Sequence, residues 1–134
     1  MTTILIVDDN DDIRDLLTRK MKSHGFSVAT AGDGVEAVEL AEKLDVALIL
    51  MDINLPDLDG LEATMQIRAA DGDKHTPVIA LTAYALPDDQ ARAEAAGCDT
   101  FHPKPIDFDK LFAQIRELIG DIKAGQASAL SDIA

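Results

Sequence analysis

"ALILMDINLPDLDG" spans Ala47 to Gly60. Its first five residues, Ala47 to Met51, are apolar and read as a strand buried on both faces. The run then meets the carboxylate of Asp52, and a turn-rich stretch follows. "ILIVDDNDD" repeats the pattern nearer the N-terminus, where Ile4 to Val7 lead into Asp8 and Asp9. Continuous apolar strands are the signature of a parallel sheet covered by helices on both sides. Ligands of such sheets bind beyond the carboxyl ends of the strands. A carboxylate that ends a core strand therefore marks the place where the core stops and a site begins.

Five short apolar runs punctuate the chain: Thr3–Val7, Phe26–Thr30, Ala47–Met51, Pro77–Leu81 and Cys98–His102. Longer segments with helical spacing separate them. The first helix is predicted from near Asn10 to about His24, burying Ile13, Leu16, Leu17 and Met21, with Gly25 as its stop. The second starts at Asp33, with Glu36 as its capping partner, and buries Ala37, Leu40, Ala41 and Leu44. Asp59 and Glu62 repeat that signal before a third helix carrying Leu61 and Met65. The fourth, about Leu86 to Ala96, has a mostly alanine face and should pack weakly. The fifth carries the stripe Phe108, Leu111, Phe112, Ile115, Leu118, Ile119 and Ile122. Strands joined by helical crossovers are parallel, with right-handed connections. The fold class is α/β: an open five-stranded parallel sheet with helices on both faces.

The chain has 134 residues, enough for one domain with a real core. That domain is expected over residues 1–122, with 123–134 a short, small and polar tail. Hydrophobic residues make up 47%, which excludes a disordered chain. Acids outnumber bases 25 to 12, for a net charge of −13, which argues against direct nucleic-acid binding. No apolar run approaches the roughly 20 residues that span a bilayer, so no membrane association is expected. "MTTILIVDD" lacks the basic segment of a signal peptide. The single cysteine, Cys98, suits a reducing cytoplasm and reads as a small core residue.

At the carboxyl edge of the sheet, strand 1 delivers Asp8 and Asp9, strand 3 delivers Asp52, strand 4 delivers Thr82 and strand 5 delivers Lys104. Three gathered carboxylates repel, so either one keeps a proton or a cation sits among them. Mg²⁺ (or Mn²⁺) suits such oxygens. Asp9 and Asp52 are placed to ligate it directly, Asp8 through water, and Asn54 through its backbone carbonyl. A metal, a lysine and a hydroxyl around a carboxylate form a site for a transferring phosphoryl group, with the carboxylate as nucleophile. Asp11 and Asp12 read only as acids favoured by the start of a helix. His24, His75 and His102 lack metal-ligand spacing.

"LIVDDN", "LILMDINLPDLDG", "LTAYA" and "KPI", in this order and each after its strand, resemble the receiver domain of two-component response regulators over about residues 3 to 122. The resemblance implies the flavodoxin-like receiver fold with strand order 2-1-3-4-5. It makes Asp52 the phosphoacceptor, gives Asp8, Asp9 and the Asn54 carbonyl to Mg²⁺, and sets Thr82 and Lys104 on the phosphoryl group. It implies a cis Lys104–Pro105 bond and makes Phe101 the aromatic that swings inward as Thr82 is drawn to the phosphate. Leu58 stands where the family often has Met. Tyr84 is read as partly exposed packing beside the site. Pro103 removes a ladder donor, so strand 5 should end early or form an edge.

The implied protein is a signalling switch rather than an enzyme, although it catalyses its own phosphorylation and dephosphorylation. Its donor is a sensor histidine kinase or histidine phosphotransfer protein. Its target is a protein docking on helix 4, strand 5 and helix 5. The initiating Met and short tail favour a stand-alone regulator. A phosphate relay or sink, or a receiver excised from a longer hybrid kinase, are the alternatives. Aspartate-nucleophile phosphatases need a second acid after strand 1, where Asn10 stands. A flavin or nucleotide binder needs a Gly/Ser/Thr-rich loop there. An EF-hand needs an acid at its twelfth loop position, where Gln66 falls.

Overall fold

The structure, a computed structural model, describes residues 2–55, 58–71, 75–83 and 87–120. Strands and helices alternate: β1 (Thr3–Val7), α1 (Asp11–Ser23), β2 (Ser27–Ala31), α2 (Gly34–Lys43), β3 (Leu48–Asp52), α3 (Gly60–Asp71), β4 (Val78–Thr82), α4 (Pro87–Ala96), β5 (Thr100–Pro103) and α5 (Phe108–Ile119). All strand pairs are parallel, in the order β2-β1-β3-β4-β5. No helix among the described residues is long and apolar enough to cross a membrane.

Successive strand side chains point to opposite faces, so each buried strand feeds two cores. Leu5, Val7, Ile49, Met51, Val78 and Ala80 pack with Ala37 of α2, Leu61, Ala63 and Ile67 of α3, and Ala93 and Ala96 of α4. Ile4, Ile6, Leu48, Leu50, Ile79 and Leu81 pack with Leu17 and Met21 of α1 and Leu111, Phe112 and Ile115 of α5. Cys98 lies in the first core, where burial pushes its thiol up.

The helix starts follow the sequence signals. Asn10 caps α1 by accepting from the Ile13 amide, Asp33 caps α2 from Glu36, and Asp59 accepts from the Glu62 amide. Each satisfies one of the backbone donors left over at a helix start. Glu36 does not close a capping box on Asp33; its Oε1 accepts from the Gly32 amide instead.

Three apolar residues expected inside are exposed: Leu16 (39%), Leu44 (38%) and Met65 (49%). The buried stripe of α1 runs at four-residue steps through Ile13, Leu17 and Met21, which leaves Leu16 at its margin. Leu44 is the C-cap of α2 and already extended, so helical spacing no longer aims it inward. In α3 the buried positions are Leu61, Ala63, Thr64 and Ile67, which turns Met65 outward. Strand limits also move. β2, β3 and β4 each shift one residue toward the C-terminus, to Ser27–Ala31, Leu48–Asp52 and Val78–Thr82, and β5 starts at Thr100 rather than Cys98. Pro103 does not shorten β5: it pairs in register with Thr82, and β5 is the sheet edge, where a missing donor costs nothing. Tyr84, Leu86, Ile122 and the expected 123–134 tail lie outside the described residues.

Candidate functional site

Register brings the site together. Val7 of β1 pairs with Met51 of β3, so Asp8 and Asp52, one step on, leave neighbouring strands toward the same side. The ladder continues past the strand ends through Asp8 N–H to the Ala31 carbonyl (3.1 Å), Ile53 N–H to Leu81 (3.1 Å) and Lys104 N–H to Thr82 (2.7 Å). Asp8, Asp9 and Asp52 each offer an oxygen, all within 4.8 Å of one another. Asp8 and Asp52 are buried, at 1% and 3% exposure, and Asp9 is exposed. One side of the cluster is thus closed by protein and the other open to water.

The turns that carry these acids are fixed by the acids themselves. Asp8 Oδ1 accepts from the Asn10 amide and Asp52 Oδ1 from the Asn54 amide, each at 2.9 Å. Gly60 closes the loop after β3: its amide donates to the Ile53 carbonyl (3.3 Å), and a Cβ there would collide with the Asp52 carbonyl. Only glycine allows that approach. Lys104 Nζ stands 3.3 Å from Asp8 Oδ2 and 3.6 Å from Asp52 Oδ2. The Lys104–Pro105 peptide is cis, as expected.

Burial holds the Asp52 carboxyl above the ordinary carboxylate range. Asp8 and Asp9 push it the same way, whereas the Asn54 amide and Lys104 pull it back. Two nearly buried carboxylates with one partly exposed ammonium leave negative charge uncompensated. Hard oxygen donors on a half-open site fit a divalent cation that retains water.

Thr82 is buried at the end of β4. It follows Ala80, and Ala80 pairs with Phe101, so Thr82 and Phe101 share the sheet face covered by α4. Phe101 is partly buried beside a groove of about 240 Å³ that Ala93, Cys98 and Thr100 also line.

The response regulator receiver domain family model matches residues 4–116. The chain belongs to that family. The polar-differentiation response regulator DivK of Brucella anthropi is 35% identical over 119 residues, 89% of this chain and 97% of DivK. The receiver domain of the Pseudomonas aeruginosa sensor histidine kinase PA1611, solved with magnesium in its active-site cleft, is 37% identical with a TM-score of 0.82. That match covers 90% of this chain and 98% of the other. The co-crystal of the Saccharomyces cerevisiae phosphotransfer protein Ypd1 with the receiver domain of Ssk1 matches at 30% identity and TM-score 0.84, over 88% of each chain.

In this receiver, two arginines escaped the sequence reading. Arg14 donates to the Asp8 carbonyl, and Arg68 joins α3 to the C-terminal end of α4 and to the starts of β4 and β5. The six-residue step from Asp8 to Arg14 is a usable signal, because it returns a helical side chain toward the strand end. Nothing near Arg68 in sequence announces its partners at Gly97 and Asp99. His102, buried at 1%, is structural. Its Nδ1 pairs with Gln114 Oε1 (2.8 Å), and its Nε2 accepts from the Asp107 amide (3.1 Å).

Proposed function

We propose that Asp52 is the phosphoacceptor of a two-component signalling switch. The observation that carries this reading is the Asp8–Asp9–Asp52 cluster, with Lys104 3.6 Å from Asp52. In the reaction, an Asp52 oxygen attacks the phosphorus of a phosphohistidine. The N–P bond breaks as the O–P bond forms, and the leaving imidazole takes up a proton. The buried floor of the site keeps the nucleophile from water, and the Asn54 amide aims it through Oδ1. Lys104 supplies positive charge to the phosphoryl oxygens, and Thr82 supplies a hydroxyl at the neighbouring strand end.

Asp8, Asp9, Asp52 and the Asn54 carbonyl would hold Mg²⁺ (or Mn²⁺), as the magnesium in the PA1611 receiver supports. The ion, when bound, neutralises charge that builds up on the transferring group. The phosphodonor is a sensor histidine kinase or a histidine phosphotransfer protein, for which the Ypd1–Ssk1 co-crystal is the precedent. We read the chain as promoting its own phosphorylation and dephosphorylation in the cytoplasm, not as an enzyme turning over an external substrate. Its output is protein contact on the α4–β5–α5 face, driven by Thr82 and Phe101.

Incubation with a small phosphodonor and Mg²⁺ tests the reading. One base-labile phosphate should map to Asp52 by mass spectrometry and be lost in Asp52→Asn. A label that persists elsewhere in Asp52→Asn would refute the assignment.

A further inference from the structure

Arg14 stands in the first turns of α1, six residues past Asp8, and turns back on the strand end it follows. Nη1 donates to the Asp8 carbonyl at 2.7 Å, and Nη2 pairs with Asp11. The rest of Asp8 is committed elsewhere. Its amide donates to the Ala31 carbonyl, Oδ1 accepts from the Asn10 amide, and Oδ2 faces Lys104. That leaves Arg14 to hold the carbonyl where β1 leaves the sheet. The β2–α2 turn makes room for it. A Cβ on Gly32 would stand 3.3 Å from Nη1, and Glu36 Oε1 fixes Gly32 through its amide at 2.9 Å.

That carbonyl belongs to the peptide joining Asp8 to Asp9. A peptide is planar, so holding its oxygen restrains the tilt of the plane and the position of the Asp9 Cα from which that side chain departs. We propose that Arg14 is a positioning residue for the metal site, holding Asp8 and Asp9 in the mutual geometry that a divalent cation requires. The inference rests on the proposed reading of the acidic cluster. Arg14 acts through the peptide and does not touch the ion.

Two effects of Arg14 on a cation have opposite signs. As a bare charge it repels Mg²⁺, so its loss would tighten binding. As a clamp it orders the ligands, so its loss weakens binding. Its charge is already paired with Asp11, which is largely exposed, so solvent screens the repulsion. The clamp should therefore decide the sign.

The experiment is titration of the full chain with Mg²⁺ alone, by calorimetry and amide NMR, without phosphodonor. Arg14→Gln should raise the Mg²⁺ dissociation constant about tenfold, as loss of a group orienting a metal ligand does. Arg14→Lys, which keeps the charge and a donor, should recover most of that loss. Gly32→Val crowds the guanidinium without changing charge and should weaken binding in the same direction. It also serves if Arg14→Gln does not fold. With a small phosphodonor, the half-saturating Mg²⁺ concentration should rise in Arg14→Gln while the rate at saturation changes little. Unchanged or tighter Mg²⁺ binding in folded Arg14→Gln and Gly32→Val overturns the inference. A wild-type chain that fails to bind Mg²⁺, or Asp9→Asn binding as wild type does, sinks the reading of the cluster instead.

Discussion

Lys104 Nζ lies 3.6 Å from Asp52 Oδ2, at the only point in the site where a cationic side chain offsets the buried acids among the described residues. It opposes a larger effect, since burial raises the Asp52 carboxyl and Lys104 merely pulls it back in part. Lys104→Met should therefore make Asp52 protonate at higher pH, which carboxyl NMR titration in metal-free buffer would read. It should also slow phosphorylation from a small donor by about 100-fold, the usual cost of losing one charge-stabilising donor. A titration and a rate both equal to wild type would remove Lys104 from the chemistry.

The raised Asp52 carboxyl makes a prediction about stability and pH. Below the unfolded carboxylate value, near 3.8, both states hold the proton and Asp52 contributes no difference. As pH rises toward the folded value, the unfolded chain loses its proton first and stability falls. Above the folded value the penalty is constant. Asp52→Asn should thus be more stable than wild type at neutral pH without metal, with the gain shrinking to nothing as pH drops below the unfolded value. Urea unfolding across pH 3 to 8 measures it. A gain that stays flat over that range would mean that charge burial is not its source.

Mg²⁺ should relieve the same repulsion. A ligand that binds only the native state adds about 2.7 kcal/mol at a hundredfold excess over its dissociation constant. Thermal melting with and without Mg²⁺ should show a clear upward shift in wild type and little shift in Asp9→Ala. Equal shifts in the two proteins would place the ion elsewhere.

Most of the fold was legible because both faces of the sheet are buried. Strands such as Leu48–Asp52 and Val78–Thr82 carry no polar interruption until their ends. The acidic cluster of the candidate site was legible for the same reason: an acid that ends such a run stands out against it. Leu16, Leu44 and Met65 misled because an apolar residue at a helix margin carries no local mark of which way it faces. Arg68 was invisible for a different reason, and Arg14 carried no mark beyond its six-residue step from Asp8. An arginine with several donors bonds backbone carbonyls, and which carbonyls lie in reach depends on how the chain is packed.

Arg68 shows what such packing does for stability. Nε donates to the Gly97 carbonyl, Nη1 to Asp71 and the Thr76 carbonyl, and Nη2 to Asp99. Asp99 in turn accepts from the Val78 amide and faces His75. One side chain thus ties α3 to the C-terminal end of α4 and the starts of β4 and β5. Arg68→Ala strips partners from two mostly buried carboxylates and should cost on the order of 3 kcal/mol, since hydrogen bonds to charged groups are the stronger kind. Chemical denaturation would measure this. A loss below about 0.5 kcal/mol, the range of ordinary surface changes, would make the cluster incidental.

The same clasp polarises the movement of α4. Its C-terminal end is held through Gly97, whose φ of +106° suits glycine and whose carbonyl Arg68 takes. Its N-terminal end follows the segment after Thr82, the hydroxyl drawn toward the phosphate in our reading. Between the two, α4 buries only Gly-free, small positions, Ala93 and Ala96, so little apolar area resists its displacement. Phosphorylation should then move the start of α4 while its end stays fixed, with Phe101 filling the groove beneath it. Only a few kcal/mol of differential stabilisation is needed to shift such a population. Amide hydrogen exchange on free and phosphoryl-mimic-bound protein should show protection changes that are larger at residues 87–92 than at 94–99, and Thr82→Ala should abolish them. Changes confined to residues 8–12 and 52–60, with Thr82→Ala leaving partner binding intact, would mean that the phosphate acts at the mouth of the site and that α4 is not the moving element.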